Sequence, residues 1–196
     1  MFRFIGFYDY TVILTYMSLI SAVVGITFSH QGRFDAAVLC LFLCGFCDTF
    51  DGTVARTKKN RTDDEKAFGI QIDSLCDCVS FGVFPAILCY CMGMNTVPGT
   101  VIVCLFSLCA VIRLGFFNVL EAKRQQVEEG CNKYYRGLPV TSIAALLPIT
   151  YLVGKLISDS VFVIVLHVLI ALTAFLFVLD FRMKKPDVTK ILVKSK

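Results

Sequence analysis

"FCDTFDGTVARTKKN", Phe46 to Asn60, closes a strongly apolar stretch with two carboxylates, and "FGIQIDSLCDCVSFG", Phe68 to Gly82, opens another with two more. Asp48 and Asp51 stand at i and i+3, and are followed by Gly52, Ala55, Arg56 and a basic run. Asp73 and Asp77 stand at i and i+4, with Gly69 just ahead of them. On a helix both spacings put the two side chains on one face. Each pair therefore points one way at the end of its apolar segment. The two segments are consecutive, so as antiparallel neighbours joined by a single loop they can turn the pairs toward each other.

The surrounding composition sets the medium. Of 196 residues, 57% are hydrophobic and only 17% charged, whereas soluble domains are nearer half apolar and a quarter charged. The apolar residues come in long blocks, and a bilayer core needs roughly 20 of them per helix. Blocks at about 11–28, 34–50, 70–92, 97–119, 138–157 and 160–180 qualify. Open sheets cannot span lipid, and the blocks are apolar on both phases, which excludes the alternating strands of a β-barrel. The expected fold is an all-α, polytopic transmembrane bundle of about six spans, forming a single membrane domain over 1–196. Met1 to Tyr10 lacks a small-residue cleavage site and reads as a retained interfacial segment. Its Phe2, Phe4, Phe7, Tyr8 and Tyr10 suit the headgroup level.

Orientation follows from the 19 Lys and Arg residues. With the N-terminus in the cytoplasm, only Arg33 and Lys155 fall on the far side and Arg113 falls within a span. All the others lie at the N-terminus, in the 52–67 and 120–137 loops, or in the C-terminal tail. That is a strong positive-inside pattern. The net charge of +4 thus describes a cytoplasmic face fit for anionic headgroups and phosphates, not a nucleic-acid surface. The ten cysteines include the spacings Cys44–Cys47, Cys76–Cys78 and Cys89–Cys91. A structural zinc site needs four ligands, and both histidines, His30 and His167, are remote in sequence. The cysteines read as small packing residues in a reducing compartment.

A charge exposed in the middle of the bilayer costs about 2.5–3.5 kcal/mol on insertion scales, and four carboxylates together repel one another. Such a cluster persists if a cation sits in it. Asp73 could be an ordinary first-turn residue. Asp48 and Asp51 stand at a helix C-terminal end, where the dipole disfavours anions, and Asp77 is a turn deeper than Asp73. Carboxylates without nearby histidine favour a hard divalent ion, Mg²⁺ or Mn²⁺. Four of them from two helices could hold two ions, the usual clamp for displacement at phosphorus. Gly52, Ala55 and Gly69 leave room for close approach to the backbone, or for helix packing.

Read as one pattern, D-x2-D-G-x2-A-R-x12-G-x3-D-x3-D from Asp48 to Asp77 resembles the signature of the CDP-alcohol phosphatidyltransferases. The Arg-to-Gly gap is longer than usual in that family, and the extra residues fall in "TKKNRTDDEKAF", read here as a charged loop. "QIDSLCDCVSFGVFPA" (Gln71 to Ala86), "RLGFFNV" (Arg113 to Val119) and "YRGLPVT" (Tyr135 to Thr141) are similar to the phosphatidylserine synthase branch. The resemblance implies an integral membrane enzyme working at the cytoplasmic face of the cell membrane. It would transfer a phosphatidyl group from CDP-diacylglycerol to L-serine. It implies Asp48, Asp51, Asp73 and Asp77 as ligands of two Mg²⁺ or Mn²⁺ ions, and Asp77 also as general base. Gly52, Ala55, Arg56 and Gly69 would line the cytidine-diphosphate pocket. Arg113, with Asn118 near its face, reads as a phosphate or serine-carboxylate ligand, or as a snorkelling or aspartate-pairing residue. Lys133 and Arg136 are candidates for donor phosphate or serine. Membrane lipids are expected surroundings, and a homodimer stays open. Another acceptor alcohol (glycerol 3-phosphate, an inositol phosphate or an amino alcohol) remains an alternative. So does a divalent-cation carrier, although "LISAVVGITF", "VFPAILCYC" and "ITYLVGKLI" offer no charged relay to the far side.

Overall fold

The computed structural model describes residues 6–7, 10–55, 58, 62–127 and 134–184. Most of the interfacial segment 1–10, together with Arg56 and Lys133, lies outside the described residues. A 3₁₀ turn, Tyr10–Val12, leads into helix α1, Ile13–His30; α2 is Phe34–Ala55. The next membrane segment is compound. Helix α3, Asp63–Asp77, runs through a π-helical segment, Cys78–Val83, into α4, Phe84–Cys91. Helix α5 is Val97–Val127, α6 is Ile143–Gly154 after a 3₁₀ turn at Val140–Ser142, and α7 is Asp159–Val178. Counting Asp63–Cys91 as one, five helices among the described residues are long and apolar enough to cross a membrane, and Val140–Gly154 is a shorter apolar sixth. The protein is a helical integral membrane protein, and the sixth block is present in abbreviated form.

The helices outrun the apolar blocks at one end of the molecule, because hydropathy marks the lipid and not the helix. The third begins at Asp63 and not near 70. Thr62 caps it: its hydroxyl accepts the Glu65 N–H at 3.2 Å, and the Glu65 carboxylate accepts the Thr62 N–H at 2.9 Å. This reciprocal capping box, with acidic Asp63, Asp64 and Glu65 in the first turn, makes helix of half of the stretch read as a loop. Lys58 reaches Glu65 at 3.0 Å and ties the loop to the same turn. Likewise α2 continues to Ala55 and α5 to Val127.

Helix α1 packs along α2, α5 along α7, and α6 against α2. Close contacts are made over small residues. A Cβ added at Gly25 would lie 2.2 Å from the ring tip of Phe84, and one at Gly45 would lie 2.6 Å from the Cβ of Ala144. Phe81, Phe84, Phe106, Leu41, Leu88 and Leu147 are fully buried in the shared core. Leu39, Leu105, Ile164 and Leu172 face outward, as side chains do where the surrounding medium is lipid. All nine described cysteines are free thiols, and Cys40, Cys44, Cys76 and Cys89 are buried as packing residues.

Two details frame the ends. The only strands among the described residues form a ribbon of β1, Tyr134–Arg136, antiparallel to β2, Arg182–Lys184, with Tyr135 opposite Met183. At the other end the Lys155 ammonium and the Tyr151 hydroxyl both donate to Asp35 Oδ1, tying α6 to the start of α2. The hydrogen bond to Asp35 holds the Lys155 amine above its ordinary pKa.

Candidate active site

Asp48 and Asp51 occupy the last turns of α2, and Asp73 and Asp77 the last turns of α3. The two helices do not run side by side here. Helix α2 touches the π segment and α4, while α1 packs against both α2 and α3. The carboxylates therefore face one another across a gap floored by α1, whose Thr15 hydroxyl lies 3.5 Å from Asp51 Oδ2. All four sense one another electrostatically. Asp77 interacts with Asp48, Asp51 and Asp73, and the Asp51 and Asp73 side chains are within hydrogen-bonding reach. Asp77 is buried, 9% exposed. No ion pair to any of the four forms among the described residues.

The π segment continues directly from Asp77. Its looser turn is pinned by hydroxyls from two neighbours. Ser107 on α5 donates to the Gly82 carbonyl at 2.9 Å, and Ser18 on α1 donates to the Ser80 hydroxyl at 3.2 Å. π turns inside α-helices occur most often at functional sites.

A cavity of about 480 Å³ opens beside the aspartates, lined among others by Asp48, Asp73, Asp77, Arg113, Asn118 and Glu121. That is within the ordinary range for a small-ligand site. Arg113, 6% exposed, donates from Nη1 to the Phe177 carbonyl at 3.1 Å, and its guanidinium sits 4.5 Å from the ring centroid of Phe117. It does not snorkel outward. Gly137 makes room for it: a Cβ there would meet Nη1 at 2.7 Å, and its φ of +68° lies in the left-handed region that favours glycine. The ribbon holds Gly137 in place, since its N–H donates to the Phe181 carbonyl at 2.6 Å. Asn118 is positioned from α3: Ser74 Oγ donates to its Oδ1 at 2.7 Å. The amide NH₂ is thereby turned away from Ser74, and is the group Asn118 has left to offer as a donor.

The fold thus brings Asp48, Asp73, Asp77, Arg113 and Asn118 to one cavity, with Asp51 beside Asp73. Gly52 and Gly69 stand on the same helices but do not line it; Gly52 is exposed, and a Cβ added there would meet nothing within 4 Å, while Gly69 is half-buried. Ala55 ends α2, and Arg136 lies in β1; their side chains, like Arg56 and Lys133, fall outside what is described. Sequence reasoning passed over Ser74, Phe117, Glu121, Gly137 and Thr141. All but Glu121 lie inside the three stretches quoted above, so the signal was present as spacing to known positions. The donor set, four carboxylate side chains and no histidine, has the chemistry of a hard-cation site. Among the described residues no three such side chains are drawn together closely enough to form a ready-made ligand cluster.

The family model of the CDP-alcohol phosphatidyltransferases matches residues 10–182. The chain belongs to that family. It is 34% identical to the archaetidylserine synthase of Methanothermobacter thermautotrophicus, over 72% of this chain and 57% of that protein. It is 39% identical to a CDP-diacylglycerol–serine O-phosphatidyltransferase of Saccharomyces cerevisiae, over 61% of this chain and 43% of the other. With the Bacillus subtilis protein of the same name it shares 36% identity over 45% of this chain and 49% of the other. The matched region thus spans about half the length of these curated relatives. No solved structure matches the chain.

Proposed function

We propose that this protein transfers the phosphatidyl group of CDP-diacylglycerol to the hydroxyl of L-serine, giving phosphatidylserine and CMP. The observation that carries the reading is the convergence of Asp48, Asp73, Asp77, Arg113 and Asn118 on one cavity at the end of a membrane bundle. The names of the relatives support serine as the acceptor. In this reading the serine oxygen attacks the phosphorus that bears diacylglycerol, the bond from phosphorus to the CMP oxygen breaks, and the hydroxyl proton passes to the Asp77 carboxylate. A buried carboxylate within hydrogen-bonding distance of the hydroxyl is a suitable general base. Members of the family generally use a divalent metal. Asp48, Asp51, Asp73 and Asp77 would hold Mg²⁺ or Mn²⁺, which when bound neutralises charge on the diphosphate. Gly52, Ala55, Arg56 and Gly69 are assigned to the cytidine-diphosphate side, and Arg113, Asn118, Lys133 and Arg136 to the acceptor and donor phosphate.

The test is purified protein with CDP-diacylglycerol, Mn²⁺ or Mg²⁺, and a panel of serine, glycerol 3-phosphate, inositol phosphate and ethanolamine. CMP release is expected with serine and is expected to stop reversibly on chelation. A preference for glycerol 3-phosphate would move the acceptor within the same family. The described residues near the site place few cations there, and a phosphorylated acceptor is a dianion that ordinarily needs several. That scarcity favours the zwitterion.

The charge pattern supports a site on the cytoplasmic side. Single cysteines at the Lys59 and Arg124 positions, in a cysteine-free background, are expected to react with impermeant reagents from the cytoplasm, and one at Lys155 from the opposite face. Labelling of Lys59 and Lys155 positions from the same side would break the arrangement.

A further inference from the structure

One hydroxyl of the third membrane helix is spent across the bundle. Inside a helix a serine or threonine often bonds back to the carbonyl four residues earlier, as Ser29, Thr49, Thr150 and Thr173 do here at 2.7–2.9 Å. Ser74 on α3 does not. Its Oγ donates to Asn118 Oδ1 on α5 at 2.7 Å, and neither side chain has another hydrogen-bond partner among the described residues. Both line the cavity beside the aspartates. Resting on the reading above, we infer that Ser74 is a positioning residue for the acceptor: it fixes which end of the Asn118 amide is left for the ligand, and so favours an acceptor that carries a carboxylate close to its hydroxyl.

The two ends of a primary amide have nearly the same shape and opposite hydrogen-bonding sense, since the oxygen accepts and the NH₂ donates. Rotation about the terminal bond of an asparagine is soft, so Asn118 alone could turn either end to a ligand. Ser74 removes that freedom. The 2.7 Å separation is the usual length of an O–H···O bond, whereas N–H···O bonds run to about 2.9–3.0 Å. With the oxygen end so engaged, the donor end remains for the cavity. A donor matches the carboxylate of an amino acid and offers nothing to an amine. Position matters as well as polarity. Ser74 follows Asp73 directly and precedes Asp77 by three residues. The Ser74–Asn118 bond is therefore a strut of set length between the helix that carries two of the candidate metal ligands and the side chain assigned to the acceptor.

The expected signature is that the effect of Ser74 depends on Asn118. Ser74→Ala should raise the KM for serine roughly three- to ten-fold, the worth of one neutral hydrogen bond. The KM for CDP-diacylglycerol and directly measured Mn²⁺ binding should stay put. Ser74→Thr keeps the hydroxyl and should restore the wild-type KM. Asn118→Ala should raise the KM for serine about ten- to a hundred-fold, the worth of a bond to a charged group. In that background Ser74→Ala should add nothing, because the side chain it acts through is gone. A hydroxyl that merely supported α3 or Asp73 would be missed equally in both backgrounds. Equal rises in the two backgrounds, or no rise in Ser74→Ala alone, with wild type active on serine, overturn the Ser74 assignment and leave the acceptor reading standing. Wild type that releases CMP with glycerol 3-phosphate and not with serine overturns the acceptor reading and this inference with it.

Discussion

Asp77→Asn is expected to lower CMP release by about 10²- to 10⁴-fold, the range supplied by a positioned general base. Asp48→Asn and Asp73→Asn should be at least as damaging. In the proposed mechanism each would remove a charged metal ligand, and a neutral amide in its place would leave a divalent ion with one less anion at close range. Folding should survive all three. The carboxylates repel one another, with no ion pair to them among the described residues, so removing one charge relieves the apo protein even as it disables the site. Unchanged helicity and gel-filtration behaviour, together with weakened Mn²⁺ binding measured directly, would locate the defect in the site. Near-wild-type turnover by Asp77→Asn, or full activity of the unmodified protein in excess EDTA, would sink the metal-and-base reading.

The second large effect is on stability. Gly25→Ala should cost about 1–3 kcal/mol, the usual penalty for overpacking. The added methyl would sit 2.2, 2.8 and 2.8 Å from three ring atoms of Phe84, whose side chain is fully buried. The ring has nowhere to retreat, because it is held between α1 and the core beneath the π segment. Phe84→Leu in the same chain removes the colliding ring tip. The double variant should therefore be more stable than the sum of the singles predicts, with a coupling of about 0.5–3 kcal/mol. Thermal melts in detergent for the four members of the cycle give the answer. Additive losses would mean that α1 and α4 do not meet at this point.

The bundle was legible in the sequence because lipid imposes a coarse rule, long apolar blocks, that needs no tertiary information. The aspartates were legible because their spacing and their burial cost are both local facts. What was not legible depended on hydrogen bonds and on contacts between distant segments. The start of α3 at Asp63 is fixed by the Thr62–Glu65 capping box, which lies in a hydrophilic stretch that hydropathy assigns to loop. The role of Gly137 requires knowing that Arg113, on α5, passes where its Cβ would be. Arg113 was read from sequence as a phosphate or serine-carboxylate ligand, or as a snorkelling or aspartate-pairing residue. Its bond to the Phe177 carbonyl shows a further duty, bracing α5 against α7, that no pattern within α5 encodes. Glu121 went unnoticed because a glutamate where a membrane helix meets water looks like any solvated charge.

The π segment has a consequence for how the third helix can serve two masters. In an unbroken α-helix, Asp77 and Phe84 are separated by almost two complete turns and would project from the same side. Here they do not. Asp77 looks toward α5 and the cavity, while Phe84 is wedged onto Gly25 of α1. The six wider-wound residues between them act as a phase shifter. Upstream of it, the angular position of each side chain answers to reactivity. Downstream, it answers to packing. The two halves are decoupled like gears joined through an idler, so the lower helix can be repacked without re-aiming the upper one, provided the length of the coupling is kept.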